Sequence, residues 1–163
     1  MKKAAIATIL LIIVLTILLL CLAACKAEES GTPFTCVVHK GECVWVRDQP
    51  SKDAEKIDSI RYGYSGLIFE IMNGYARVET TYGIKGWVDV SYLEIPIDEE
   101  IWVIQTKDPL NKRETPGGRY MTRIKGGSRI SVLGWRYDKN GELWAKVYHG
   151  GYVKAEFLAK AEQ

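Results

Sequence analysis

The sequence predicts an all-β protein made of two tandem units behind an export signal. Three observations carry this reading. Short runs rich in Val, Ile, Tyr and Trp are broken by turn residues. An ordered set of motifs occurs twice. An uncharged N-terminal run follows two lysines.

The chain opens Met1-Lys2-Lys3 and carries no charge from Ala4 to Cys25. A basic start followed by an apolar run is the layout of a secretory signal. The run closes on Leu22-Ala23-Ala24-Cys25. Small residues directly before a cysteine resemble the lipobox of bacterial lipoproteins. That resemblance implies a signal peptide over residues 1–24, cleaved to leave Cys25 with a diacylglyceryl group on its thiol. The protein would then be lipid-anchored on the extracytoplasmic face of the cell membrane. Two acyl chains, at ~0.8 kcal/mol per buried CH₂, make such an anchor stable. The competing reading is an uncleaved transmembrane anchor, since the uncharged stretch is long enough to span a bilayer. Residues 25–35 are expected as the lipidated cysteine and a spacer, with Ala27–Pro33 small and polar.

Loss of Lys2 and Lys3 takes the formal charge from +2 to 0. Residues 36–94 hold 7 basic and 9 acidic side chains, whereas residues 101–158 hold 11 and 5. The second half is therefore a candidate for contact with anionic polymer or lipid head groups. A solvated basic face is the alternative.

Cys21 leaves with the signal and Cys25 takes the lipid, so Cys36 and Cys43 remain as a pair. A hairpin turning through Val38–Gly41 would set Cys36 opposite Cys43, within disulfide range. A Cys36–Cys43 disulfide is the expectation for an oxidising compartment. Two reduced thiols, and a site formed with His39 that has too few ligands for zinc, are the alternatives.

Strands are expected at Val44–Arg47, Gly66–Met72, Tyr75–Thr80, Ile84–Val88, Ile101–Gln105, Arg129–Trp135, Leu143–Tyr148 and Gly151–Val153. Asn73-Gly74 and Asn140-Gly141 are hairpin-turn signals, tolerant of positive φ. Val46-Arg47-Asp48-Gln49-Pro50 matches Lys112-Arg113-Glu114-Thr115-Pro116 at an offset of 66. Tyr75-Ala76-Arg77-Val78 matches Trp144-Ala145-Lys146-Val147 at 69, and Gly86-Trp87-Val88 matches Gly151-Tyr152-Val153 at 65. Constant order with a small drift indicates tandem duplication. The units are expected at 36–94 and 101–159, with a Pro96-restricted linker at 95–100.

Each unit resembles the bacterial SH3-like (SH3b) domain. The resemblance rests on Val44-Trp45-Val46-Arg47-Asp48-Gln49-Pro50 and Leu110-Asn111-Lys112-Arg113-Glu114-Thr115-Pro116. It rests also on Ile124-Lys125-Gly126-Gly127, on aromatic Tyr75 and Trp144 in the return strand, and on the closing Gly86–Leu93 and Gly151–Leu158 segments. It covers nearly the whole chain after Cys25 and implies two tandem small SH3-like β-barrels. Departures are Trp45 for the family's usual Asn, Lys112 for an apolar residue and Tyr152 for Trp. The expected core is Val46, Ile60, Ile68, Val78, Val88 and Leu93, then Leu110, Ile124, Val132, Val147, Val153 and Leu158.

No nucleophile–base set is indicated by spacing, and paired acids such as Glu99-Glu100 read as a solvated run. The protein is expected to be non-catalytic, without metal or cofactor, and without a nucleic-acid partner. Aromatic residues are plentiful. Trp87 and Trp144 are expected to pack, while Tyr62, Tyr64, Trp135 and Tyr137, near hairpin loops, are the candidate ligand-binding residues. The SH3-like resemblance implies cell-wall peptidoglycan or its peptides as the ligand, with anionic wall polymer attracted by the second repeat. An adaptor or sensor binding another exported protein is the alternative.

Overall fold

The computed structural model describes residues 30–161. The signal segment, Cys25 and the lipidation expected on it lie outside the described residues. Alternating apolar residues turn one side of each strand inward. In β2 (Cys43–Arg47), Val44 and Val46 are buried while Cys43 and Trp45 are exposed. The first unit also contains β1 (Thr32–Cys36), β3 (Lys56–Arg61), β4 (Ser65–Met72), β5 (Tyr75–Thr80) and β6 (Lys85–Asp89). A 3-10 turn at Val90–Tyr92 follows, and then β7 (Leu93–Ile104). The second unit contains β8 (Leu110–Arg113), β9 (Tyr120–Ile124), β10 (Arg129–Tyr137), β11 (Leu143–Val147) and β12 (Tyr152–Lys154). It ends with a 3-10 turn at Ala155–Phe157 and β13 (Leu158–Lys160).

The class is all-β, as expected. The strands form one antiparallel path in the order β3-β2-β6-β5-β4-β1-β7-β10-β11-β12-β8-β9, with β13 pairing on β7. The duplication is visible in that order, since β9-β8-β12-β11-β10-β7 repeats β3-β2-β6-β5-β4-β1.

β7 serves both repeats. Its start pairs with β1 through Thr35–Glu94 and Cys36–Leu93, at the end of the first repeat's strand path. Its end pairs with β13 through Ile104–Leu158 and Val103–Ala159, opening the second. Residues 95–100, expected as a linker, are the middle of this strand. Pro96 is tolerated because it faces Gly134 where the β7–β10 register slips between Val132 and Gly134. Beyond the slip, Trp135 pairs with Ile95 and Arg136 with Glu94, so a strand of the second repeat is hydrogen-bonded to the end of the first.

Two apolar clusters fill the barrels. Ile95 packs on the first and Ile97 on the second, so neighbouring positions of β7 feed different cores. All the expected core residues are buried except Ile124 and Leu158, which are half-buried against the second cluster. Full burial of one such aliphatic side chain contributes about 1.5–3 kcal/mol.

The Asn73-Gly74 turn has φ of 53° and 78°, the primed geometry that an Asn-Gly pair favours. The second hairpin differs. Only Gly141 there has positive φ, at 80°, because the loop is organised by Asp138. Its carboxylate accepts the N–H groups of Asn140 at 2.8 Å and Glu142 at 3.0 Å.

The Cys36–Cys43 disulfide is not formed; both thiols are free, Cys36 buried and Cys43 exposed. The 36–43 hairpin it required does not exist. Cys36 ends β1, which lies between β4 and β7, while Cys43 begins β2, which lies between β3 and β6. Cys36 donates its N–H to Tyr64 O at 2.7 Å and accepts from Gly63 at 2.9 Å. Ile104 makes the equivalent pair with Ser128 and Gly127 at 3.0 and 2.9 Å. Cys36 therefore holds a core position that the second repeat fills with isoleucine, and burial pushes its thiol pKa up. Among the described residues no helix is long and apolar enough to cross a membrane.

Candidate ligand-binding grooves

Each repeat carries a groove bounded by the strand of its Arg-containing motif, the return strand of its long hairpin and its 3-10 turn. The first is about 280 Å³ and the second about 540 Å³. Their walls are equivalent positions of the duplication: Val44 and Leu110, Trp45 and Asn111, Arg47 and Arg113, Tyr75 and Trp144, Asp89 and Lys154, Tyr92 and Phe157.

The motif residues have matching local roles in both repeats. Arg47 Nη1 donates to Ala54 O at 2.6 Å and Arg113 Nη1 to Gly118 O at 2.8 Å, so each arginine braces the loop leading to the next strand. The glycine opening each closing segment packs on the carbonyl of the same arginine. A Cβ on Gly86 (φ 147°) would lie 2.7 Å from Arg47 O. A Cβ on Gly151 (φ 83°) would lie 2.8 Å from Arg113 O. Any larger residue would part the strands that form the groove wall.

The two grooves differ in charge. The first is lined by Arg47, Lys52 and Asp89. The carboxylate of Asp89 accepts from Ser91 N and Oγ at 2.9 and 2.7 Å, capping the 3-10 turn. In the second, Asp108, Asp138, Glu142 and Glu156 face Arg113 and Lys154. The Lys154 ammonium lies 6.0 Å from the centre of the Trp144 ring, 2.7 Å from Glu142 and 3.4 Å from Glu156. The Glu142 hydrogen bond raises its pKa. Trp144, buried as expected, donates its indole N–H to Asp138 at 3.3 Å. Burial alone would raise the Asp138 carboxyl; the backbone N–H bonds and this indole bond outweigh it and hold the group below the usual range.

The four expected binding aromatics are not gathered into one surface. Tyr62 is exposed, with the Lys40 ammonium 5.7 Å from its ring centre. Tyr64 is half-buried against the first core and lies 4.9 Å from Tyr82. Trp135 stacks edge-on against Trp102 at 5.0 Å. Tyr137 packs on the first core and lines a cavity between the repeats. Neither groove includes any of the four. The aromatics that do line grooves, Trp45, Tyr75, Tyr92, Trp144 and Phe157, all occupy or flank motif positions. Superposing the repeats on their motifs would have selected them.

The cavity between the repeats is about 360 Å³ and is lined by residues that include His39, Ser91 and Tyr92 from the first and Pro116, Arg136 and Lys139 from the second. The repeats are clasped nearby. Glu94 accepts from Lys146 Nζ and from the Tyr152 hydroxyl, each at 2.6 Å. Arg136 Nε donates to Ser91 O at 3.0 Å. Burial first, and then the Glu94 bond, push the Tyr152 phenol up to about 12. Tyr152 stands where the SH3-like pattern has Trp, and its hydroxyl supplies this inter-repeat bond.

The basic excess of the second half lies outside its groove. Lys112, Arg129 and His149 line a separate cavity of about 360 Å³, whose walls contain no carboxylate residue. His149 is exposed in its turn, as expected. Among the described residues no group of three or more His, Cys, Asp or Glu could hold a metal ion.

No family model and no curated protein matches the chain. Solved structures similar to it include NlpC2 and NlpC1 from Trichomonas vaginalis, each 16% identical and covered over 83% of this chain, with TM-scores of 0.37 and 0.38. The chain spans 50% and 48% of those two proteins. The endolysin LysPBC5 CBD is 15% identical with a TM-score of 0.32, matching 82% of this chain and 96% of its own.

Proposed function

We propose that the protein is a non-catalytic envelope-binding lipoprotein, anchored through Cys25 on the extracytoplasmic face of the membrane. Its grooves bind peptide of the cell-wall peptidoglycan. The observation that carries this reading is the pair of equivalent aromatic-walled grooves, formed at the motif positions that resemble the SH3-like family. Aromatic side chains set among charged and hydrogen-bonding groups suit a short peptide with a polar backbone and charged ends. The basic cavity of Lys112, Arg129 and His149 supports the further attraction of anionic wall polymer.

The test uses the full chain in detergent, mixed with purified wall sacculi before and after protease treatment. Retention on both is the expected result. No retention at low salt overturns the wall reading, and retention lost with protease treatment replaces it with an exported-protein partner. Metabolic labelling of cells with a fatty-acid analogue should label the parent and not Cys25→Ala, and the mature N-terminus of the parent should be blocked at Cys25; an unlabelled parent that retains Met1–Ala24 would instead favour the uncleaved anchor.

A further inference from the structure

We propose that the two grooves and the cavity between them are one continuous track, and that its ligand is a cross-linked wall peptide spanning both repeats. The proposal rests on the wall-peptide reading and deepens it. The three spaces adjoin residue by residue. Tyr92 lines the first groove and the cavity, and Asp138 lines the cavity and the second groove. Glu42 of the cavity precedes Cys43 of the first groove, and Pro116 of the cavity precedes Gly117 of the second.

The spacing along the track is set by the fold. β7 passes between the repeats without a break, and β10 is hydrogen-bonded to its first-repeat half. A ligand that fills both grooves must therefore be extended and of fixed span, and it meets a binding surface that needs no ordering. A cross-linked pair of stems offers one stem to each groove, with the cross-link lying at the cavity between them. The charges differ along the path: Arg47 and Lys52 outnumber Asp89 at one end, and Asp108, Asp138, Glu142 and Glu156 outnumber Arg113 and Lys154 at the other. A peptide presenting a carboxylate to the first repeat and an ammonium to the second fits that polarity. Occupying both ends at once converts the second contact into an intramolecular one.

The experiment is calorimetry on the full chain in detergent with two purified probes, monomeric muropeptide and its cross-linked dimer. The expected result is one dimer bound per chain, at least about tenfold tighter than the monomer. Trp45→Ala in the first groove and His39→Trp, which narrows the cavity, should each bring the dimer's affinity toward the monomer's. Two monomers bound per chain, with no preference for the dimer, overturn the track and leave the wall-peptide reading standing. Binding of neither probe, together with no retention on sacculi, overturns both.

Discussion

Gly86 and Gly151 show how a single missing side chain shapes a groove wall. Each holds positive φ, and each lies so close to the arginine carbonyl of its repeat that a methyl group has no room. Gly86→Ala and Gly151→Ala should each cost about 2 kcal/mol or more, through backbone strain and the parting of two strands. Urea unfolding measures this, and midpoints unchanged from the parent would contradict it. Tyr152 gives a pH dependence whose sign is determined by its raised pKa. The folded protein keeps the phenol proton up to about 12, whereas the ordinary value is 10.0. The stability this supplies is fully present below pH 10 and is lost as pH rises through about 12. Tyr152→Phe removes that dependence. The difference in stability between parent and variant should therefore shrink by about 2 kcal/mol across this window. A difference that stays constant with pH would show that the phenol titrates alike in the folded and unfolded chain.

At the level of elements, the sequence was readable wherever alternation was clean. β5 is found at its expected residues, and β2, β4, β6, β10, β11 and β12 within two residues of theirs. β1, β3, β8, β9 and β13 were not among the strands expected from alternation. Thr32–Cys36 carries a proline and offers only Phe34 and Cys36 as alternating buried positions, too short a run to stand out, and Lys56–Arg61 is a mostly exposed edge strand that buries only Ile60. β7 was misread for a different reason. Ile95-Pro96-Ile97-Asp98-Glu99-Glu100 has the composition of a loop, and only its partner reveals why it is a strand: Pro96 meets Gly134 at the slip in register. Cys36 and Cys43 looked like a pair because they are close in the chain, but their strands lie apart in the sheet. The grooves were partly readable, since Tyr75, Trp144 and the arginines stand in the motifs. Their opposed charges were not, because Asp108, Glu142 and Glu156 meet only after folding.

On the scale of the whole molecule, the shared strand makes the repeats depend on each other. A small barrel alone is marginal; here the end of the first is also the beginning of the second. Thermal unfolding of the parent should show one transition by both calorimetry and near-UV circular dichroism. Inserting Gly-Ser between Pro96 and Ile97 should split it into two or lower its midpoint, since the β7–β10 ladder could no longer run past the insertion. A single, unshifted transition in that variant would show that the two barrels fold independently of the strand they share. The placement of β1 has a mechanical consequence. It begins at Thr32, inside the 25–35 segment expected as spacer, because it is paired along one edge with β4 and along the other with β7. A pull applied at Gly31 runs along the strand. It loads the hydrogen bonds on both edges in parallel, so they share the load and must yield together. A strand joined at one edge and pulled across its length would peel bond by bond. The N-terminal strand is thus arranged as a shear clamp against a pull on its leading end.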